Sequence, residues 1–215
     1  MPRKPSGYKN EAGKRVIGVT TVTGRWGDPG GLMHWANDLG LQGIYHRDVS
    51  KIEAEAGNVA HLLIEQTLHG ESLDPKCDNK ETVARGRKGF EAYQEWARHM
   101  EIEHVFTERD LVSEEHQYGG CPDLVAKIHG KLVLLDWKCC NAVYPSAIYQ
   151  LSAYRQLVDE NGLGPIDDVW LCRFEKEFGS FHHHNFVPEQ MDLAFAGFVK
   201  LLENYELDKR MKSWL

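Results

Sequence analysis

The spacing of apolar and polar residues follows a helical period in the first half of the chain. Apolar residues there recur every three or four positions, as on one face of a helix. Residues 16–23, VIGVTTVT, are β-branched and apolar, and they indicate a short strand or an extended segment. The pattern predicts helices at residues 32–41, from a capping box at Ser50 and Glu53 to about Leu68, and at residues 81–100.

The second half of the chain changes to a mixture of strand-like runs and helices. Strands are predicted at residues 104–108, 123–128, 131–137 and 168–174, with residues 180–186 as a hairpin partner of the last one. Helices are predicted from Pro145 to about Val158 and from Pro188 to about Leu207. This order predicts a mixed central sheet flanked by helices, of α/β or α+β type. Without a repeat or a linker, we expect residues 16–215 to form a single domain, preceded by a flexible basic arm at residues 1–15.

Composition and charge narrow the class of protein. The 215 residues are 42% hydrophobic and 27% charged, which is typical of a soluble folded protein. No apolar run is long enough to span a bilayer, and the start lacks the apolar core of a secretory signal, so we expect a cytoplasmic protein. The net charge of −7 disfavours nucleic acid as a partner of the whole surface. Arg85, Arg87 and Lys88 nevertheless form a local basic cluster, either a DNA contact or solvated surface.

The cysteines do not predict a disulfide framework. Their number is odd, and they show neither a CxxC pair nor a regular spacing. The same observations disfavour a structural zinc site. We therefore expect reduced thiols at Cys77, Cys121, Cys139, Cys140 and Cys172.

Two acids and a lysine lie where the predicted central hairpin gains no stability from them. If the two strands pair about a turn at residues 129 and 130, Asp123 faces Asp136 across the ladder. Cross-strand Cβ atoms lie roughly 4.5–5.5 Å apart, so the two carboxylates repel each other unless a cation lies between them. Paired carboxylates suit Mg²⁺ or Mn²⁺. Lys138 shares the face of Asp136 and can orient or help to deprotonate a water there.

These residues also resemble the motifs of a known enzyme family. The resemblance is to the PD-(D/E)XK nuclease superfamily, with aspartate in the D/E position, and to its RecB-type and phage exonuclease-like branch. Four elements carry it, in matching order and spacing: GNVAH at residues 57–61, GGCPD at 119–123, DWK at 136–138, and Gln150 with Tyr154. The resemblance implies a restriction-endonuclease-like αβββαβ core.

The resemblance also implies a role for each motif residue. His61, Asp123 and Asp136 would hold a metal ion, and Asp123, Asp136 and Lys138 would form the catalytic group. Gln150 and Tyr154 share one helix face as an i, i+4 pair, and would contact DNA phosphate or position the lysine. From the residues alone, His61 can equally be an ordinary helix histidine, with Tyr154 in the core and Gln150 in solvent.

The function implied is a stand-alone, Mg²⁺- or Mn²⁺-dependent deoxyribonuclease, and an exonuclease rather than a site-specific enzyme. The resemblance places it in DNA recombination, repair or phage DNA processing, in a bacterial or phage-infected cytoplasm, with DNA and a recombination or replication protein as partners. An iron–sulfur cluster is not expected, because the cluster-bearing relatives carry cysteines near the C-terminus and none follows Cys172. No helicase motif accompanies the nuclease motifs.

Two alternatives stay open at this stage. One is a catalytically inactive module of the same fold that binds DNA ends or single strands, although such a module has no need of Lys138. The other is a carboxylate-pair hydrolase such as a glycosidase, in which Lys138 and His61 have no role. The histidines at 182–184 do not favour a second metal site, because on a strand His183 faces away from its two neighbours.

Overall fold

The structure is a computed structural model that describes residues 7–26, 29–140, 142–174 and 180–214, with the backbone alone at 26, 29 and 30. The helices are α1 (Val19–Thr23), α2 (Pro29–Leu41), α3 (His46–Leu68), α4 (Lys80–Ala97), α5 (Pro145–Glu160) and α6 (Pro188–Lys212). The strands are β1 (Ile17–Gly18), β2 (Ile102–Thr107), β3 (Leu111–Ser113), β4 (Tyr118–Gly120), β5 (Leu124–Ile128), β6 (Lys131–Cys139), β7 (Asp168–Phe174) and β8 (Phe181–Phe186).

A five-stranded mixed sheet forms the centre of the fold. Its strand order is β2-β5-β6-β7-β8, and β1, β4 and β3 form a small second sheet. Strands β6 and β7 are parallel and are joined through α5, whereas the other neighbours in the large sheet are antiparallel. Helices α3 and α4, strands β2, β5 and β6, helix α5 and strand β7 occur in this order, with the short strands β3 and β4 between β2 and β5, and form the expected αβββαβ core. The predicted fold class is therefore confirmed.

Two apolar clusters fix the helices to opposite faces of the sheet. Leu134 of β6 packs with residues of α5 and α6, whereas its neighbour Leu135 packs with residues of α3 and α4. This alternation follows from the period of two along a strand. Trp137 lies in the α3–α4 cluster, so Asp136 and Lys138 face the α5 side. Alternate residues near the end of β6, Asp136 and Lys138, thus point to one face, where they can form a site together.

The central hairpin has the register that the sequence predicts. Leu124 pairs with Leu135 and Ile128 with Lys131, which leaves His129 and Gly130 as a two-residue turn. Both turn residues have positive φ, at 50° and 78°, as a type I′ turn requires. The pairing places Asp123, one residue before β5, opposite Asp136.

Several local predictions were wrong. Residues 16–23 form only a two-residue strand before they turn into α1. Ser50 does not cap a helix, because α3 already begins at His46 with Asp48 in its first turn. Acidic residues there are favoured by the helix dipole. Strands β3 and β4 were not predicted at all.

The predicted N-terminal arm lies partly outside the described residues. Residues 1–6 are not described, and the division at residue 15 stays a prediction. In the described part, Lys9 and Arg15 form a β-bridge. Asn10 Nδ2 donates to Gln117 Oε1 at 2.8 Å. The segment around residue 10 is therefore attached to the turn between β3 and β4.

All five cysteines are free thiols in the structure. Within the described ranges, no helix combines the length and the apolar character that crossing a membrane needs.

Candidate active site

The hairpin brings the two predicted carboxylates together. Asp123 Oδ2 accepts a hydrogen bond from the backbone N–H of Trp137 at 2.8 Å, which ties the start of β5 to the end of β6. Asp136 is fully buried. Lys138 Nζ lies 2.7 Å from Asp136 Oδ2. Three of the predicted residues thus lie together at the end of the hairpin, and Asp136 and Lys138 form an ion pair.

Helix α5 contributes the next two predicted residues. Gln150 Nε2 donates to Asp136 Oδ1 at 3.2 Å and lies 3.0 Å from the Tyr154 hydroxyl oxygen. Both side chains are buried. Gln150 is therefore not solvated, and Tyr154 is connected to the buried carboxylate through it.

Gly120 explains how Tyr154 comes so close to β4. A Cβ atom at Gly120 would lie 2.5 Å from Tyr154 Cε1 and 2.9 Å from Leu157 Cδ1. The φ of Gly120 is not in the left-handed region, so the requirement here is space rather than backbone conformation. The glycine of the GGCPD motif thus leaves room for the aromatic ring that stands over the strand.

Helix α3 brings His61 to the same place. His61 Nδ1 lies 3.8 Å from Asp123 Oδ2. One helical turn earlier, a Cβ atom at Gly57 would lie 3.3 Å from Cys139 Sγ, so the helix runs very close to the end of β6. Residues four apart share a helix face. The face that approaches β6 therefore also carries His61.

Burial dominates the electrostatics of these groups. Burial raises the pKa of Asp136 to about 6, although the nearby Lys138 ammonium acts in the opposite direction. Burial, and then the charge of Lys138, lower the pKa of His61 to about 4. Burial acts to lower the pKa of Lys138, but the charges of Asp136 and Asp123 outweigh it and raise that pKa. His61 is therefore neutral near neutral pH and can act as a ligand, whereas Lys138 keeps its charge.

The residues present fit a divalent cation, although they are not preassembled around one. Asp136 Oδ2 is buried and, among the described residues, receives no hydrogen bond of good geometry, despite its ion pair with Lys138. A buried carboxylate oxygen of this kind, beside a second carboxylate and a neutral imidazole, matches the ligands of such an ion. In the described part of the chain, the group of potential metal-ligating atoms that already lie within 4.8 Å of one another is a different one, formed by Glu115, His116 and Glu160.

The basic cluster lies on α4. Arg85, Arg87 and Lys88 are all exposed. The Arg85 guanidinium forms an ion pair with Glu53 of α3 and another, at 2.9 Å, with Glu81. A DNA contact through these three residues stays a prediction.

Sequence reasoning missed one aromatic residue beside the site. Tyr8 packs so closely on β4 that a Cβ atom at Gly119 would lie 2.3 Å from its Cγ. Burial raises the pKa of Tyr8 to about 12, and nearby Cys121 and Asp110 act in the same direction. The available signal was an aromatic residue within an otherwise polar segment.

A cavity of about 790 Å³ opens beside His61, between α3 and the segment that precedes α4. Gln66 fixes that segment, because its side-chain amide bonds both the N–H and the carbonyl of Asp74. The part of the lining that the structure describes is strongly acidic, because it contains one lysine, Lys76, and five acids: Glu55, Glu65, Glu71, Asp78 and Glu108. This side of the site disfavours a phosphate backbone.

Comparison with known proteins finds similarity in fold and not in sequence family. No protein-family model matches the chain, and no curated protein does either. The resemblance to PD-(D/E)XK nucleases holds at the level of fold, through the αβββαβ core described above.

The chain is similar in structure to several exonucleases. An alkaline exonuclease (LHK-Exo) from Laribacter hongkongensis is 13% identical, with 74% of this chain and 92% of that one covered, at a TM-score of 0.35. LHK-Exo in complex with dAMP is 15% identical over 75% and 92% of the two chains, at a TM-score of 0.33. A putative exonuclease from Eubacterium rectale is 10% identical over 70% and 68%, at a TM-score of 0.47. At these scores the likenesses do not bear on function, which rests on the geometry of the site.

Proposed function

We propose that this protein is a metal-dependent deoxyribonuclease that hydrolyses phosphodiester bonds of DNA, acting from ends as an exonuclease. One observation carries the proposal: the buried Asp136 carboxylate contacts Lys138 through one oxygen and Gln150 through the other, opposite Asp123. Such a group reduces the stability of a strand end rather than raising it. Buried groups with shifted pKa values cluster at functional sites.

His61, Asp123 and Asp136 are the residues that would hold the cation. When bound, a divalent ion supplies Lewis-acid polarisation of a phosphoryl oxygen and activation of water. Neutral His61 offers an imidazole lone pair, since burial lowers its pKa to about 4. Mg²⁺ and Mn²⁺ are the ions that this mixed oxygen and nitrogen set suits.

Lys138 acts on the charge that develops during hydrolysis. Water oxygen forms a bond to phosphorus and loses a proton, the bond between phosphorus and the sugar oxygen of the adjoining nucleotide breaks, and that leaving oxygen takes up a proton. The Lys138 ammonium, held at Asp136, stabilises the negative charge on the phosphoryl oxygens and can supply or relay that proton.

Gln150 and Tyr154 position the carboxylate. The Gln150 amide donates to Asp136 Oδ1, which leaves Oδ2 on the side of Lys138. Tyr154 in turn lies within hydrogen-bond distance of the same amide group. These two buried residues restrict the rotation of a side chain on which the reaction depends.

The biological setting is part of the proposal. The resemblance favours DNA recombination, repair or phage DNA processing in a bacterial or phage-infected cytoplasm, beside a recombination or replication partner. The support for this setting is the motif pattern, not the geometry.

The test is cleavage of labelled linear and circular DNA in Mg²⁺, Mn²⁺ or EDTA. We expect degradation of the linear form only, with either metal and not with EDTA. Lys138→Ala should lower single-turnover cleavage by about 10²–10³, while calorimetry shows cation binding nearly intact. Lys138→Arg should not restore activity, because the planar guanidinium does not replace a compact ammonium. Asp136→Ala should lose both cation binding and activity.

A matched lysine provides the control. Lys127 lies on the same hairpin but forms an ion pair with Glu103 at 3.4 Å, on the β2 side. Lys127→Ala should cleave like the parent protein. If Lys138→Ala also cleaves within a few-fold of the parent, the catalytic assignment is wrong. DNA binding without cleavage by the parent in either metal would instead favour an inactive DNA-binding module.

A further inference from the structure

A row of nitrogen-bearing side chains leads from the site to the edge of the sheet. Lys138 of β6 is paired with Arg173 of β7, and Arg173 is paired with His182 of β8. Paired residues on neighbouring strands point to the same face, and neighbouring strands lie about 4.8 Å apart. Lys138, Arg173 and His182, hereafter the cross-strand row, therefore stand side by side on the face of Asp136.

On the sheet face that carries Asp136, helices cover the residues that precede the cross-strand row, whereas the row itself is accessible to solvent. Leu171, two residues before Arg173, is fully buried under the helices, and so is Val169. Arg173 is half-buried, and His182, on the outermost strand, is exposed. The opposite face at the same level is filled by aromatic packing of Trp137 and Phe174. The row therefore opens to solvent on the Asp136 face only.

Arg173 is also coupled to the segment that follows Lys138. Its Nη1 donates to the backbone carbonyl of Cys140 at 3.3 Å. A guanidinium presents five N–H donors in a planar fork, so it can bond to more than one acceptor at a time. Arg173 can thus hold the end of β6 and contact a ligand at once.

Charge favours this side of the site for an anionic ligand. The cavity on the opposite side, beside His61, is lined by five acids and Lys76. A strand whose phosphates approached through that cavity would be repelled. The cross-strand row instead offers an ammonium, a guanidinium and an imidazole in a line.

We propose that Arg173 and His182 bind successive backbone phosphates of the DNA strand whose scissile phosphate lies at Lys138, an inference that rests on the proposed nuclease function. The strand crosses the sheet from β6 over β7 to the β8 edge. Contacts to phosphates fix the register of the strand and do not depend on base sequence. The row thereby positions any DNA strand for cleavage.

The test is binding of a short fluorescein-labelled single-stranded oligonucleotide, followed by anisotropy over a range of salt concentrations. EDTA prevents cleavage, and a second series uses Ca²⁺. Arg173→Gln should weaken binding about tenfold or more, and should reduce the slope of log K against log salt by about 0.7. Arg173→Lys should keep the slope and bind within a few-fold of the parent. His182→Gln should weaken binding further when it is combined with Arg173→Gln.

The salt slope separates a phosphate contact from a structural role. An Arg173→Gln variant that is merely less stable melts earlier but keeps the parental slope, and that result would overturn the proposal. Absence of oligonucleotide binding by the parent in both series would overturn it as well. Lys127→Gln, whose ion pair lies toward β2, should keep the parental affinity and slope.

Failure of the nuclease proposal gives a different result. If the parent binds DNA with the predicted dependence on Arg173 but never cleaves it, the row stands as a binding surface and the catalytic assignment fails. If the parent cleaves DNA while Arg173→Gln binds and cleaves like it, the nuclease stands and the row does not.

Discussion

Gly120→Ala tests whether the close approach of Tyr154 to β4 builds the site. The added Cβ atom would lie 2.5 Å from Tyr154 Cε1 and 2.9 Å from Leu157 Cδ1. That is roughly an ångström closer than favourable van der Waals contact allows. Because both side chains are buried, neither can move into solvent. The ring must shift, and the hydroxyl oxygen that lies 3.0 Å from Gln150 Nε2 must shift with it.

The expected magnitude follows from overpacking and from displacement. Inserting a methyl group into a filled core destabilises a protein by about 1–3 kcal/mol. A displacement of about 1 Å at a catalytic group can lower the rate roughly 10²-fold. Gly120→Ala should therefore lower the free energy of unfolding by about 2 kcal/mol, and lower turnover more than this loss of folded protein explains.

Urea unfolding and single-turnover cleavage measure the two effects. Gly40→Ala is the matched control, because Gly40 lies in α2 and a Cβ atom there meets nothing within 4 Å. That variant should be as stable as the parent or more so. In a Tyr154→Leu background, Gly120→Ala should be less destabilising than in the parent, since residues in contact are not additive. A Gly120→Ala protein with parental stability and turnover would refute the reasoning.

Three further outcomes are expected. Mn²⁺ should raise the melting temperature of the parent but not of Asp123→Ala, because a ligand that binds only the native state stabilises it; an equal rise in the variant would place the ion elsewhere. Burial, then Lys138, depresses the pKa of His61 from 6.5 to about 4, so its stability contribution is present above pH 6.5 and is lost as the pH falls toward 4. Urea unfolding should show that the free energy of unfolding of the parent falls by at most about 3 kcal/mol over this pH range, and that His61→Gln lacks this fall. Parallel plots of unfolding free energy against pH for the two proteins would contradict this. Gly86→Ala would place a Cβ atom 2.5 Å from Val59 Cγ1 and 2.8 Å from the Ala56 carbonyl, and calorimetry should show destabilisation by about 1–3 kcal/mol, whereas a parental melt would mean that α3 and α4 move apart freely.

The parts of the fold that the sequence predicts are those set by local rules. A two-residue turn at His129 and Gly130 fixes the register of the central hairpin, and with it the opposition of Asp123 and Asp136. Helical periodicity likewise places Gln150 and Tyr154 on one face. Neither inference requires knowledge of any distant part of the chain.

The parts that the sequence does not predict depend on distant contacts. Strand β4 is three residues long and pairs with β1, which lies about a hundred residues earlier. No periodicity over so short a segment distinguishes a strand from a loop. The approach of Tyr8 to Gly119 depends on the same pairing, so it too was missed.

The ion pair at Asp136 could not be predicted either. A pattern of two acids and a lysine indicates that they share a face, but not that the ammonium lies within 2.7 Å of one carboxylate oxygen. The other oxygen of Asp136 accepts a hydrogen bond from Gln150, which lies on helix α5. The packing of α5 against β6 therefore decides which oxygen of the carboxylate contacts Gln150 and which one is left for Lys138.

The stability of the fold gives the strongest reason to regard this group as functional. Burial raises the pKa of Asp136 to about 6, so the folded state holds a proton there more tightly than the unfolded chain does. The corresponding stability is present at low pH and is lost as the pH rises through that value. Near neutral pH the carboxylate is therefore ionised at the expense of stability. A buried polar or apolar residue would avoid that loss, whereas a ligand for a cation requires the charge.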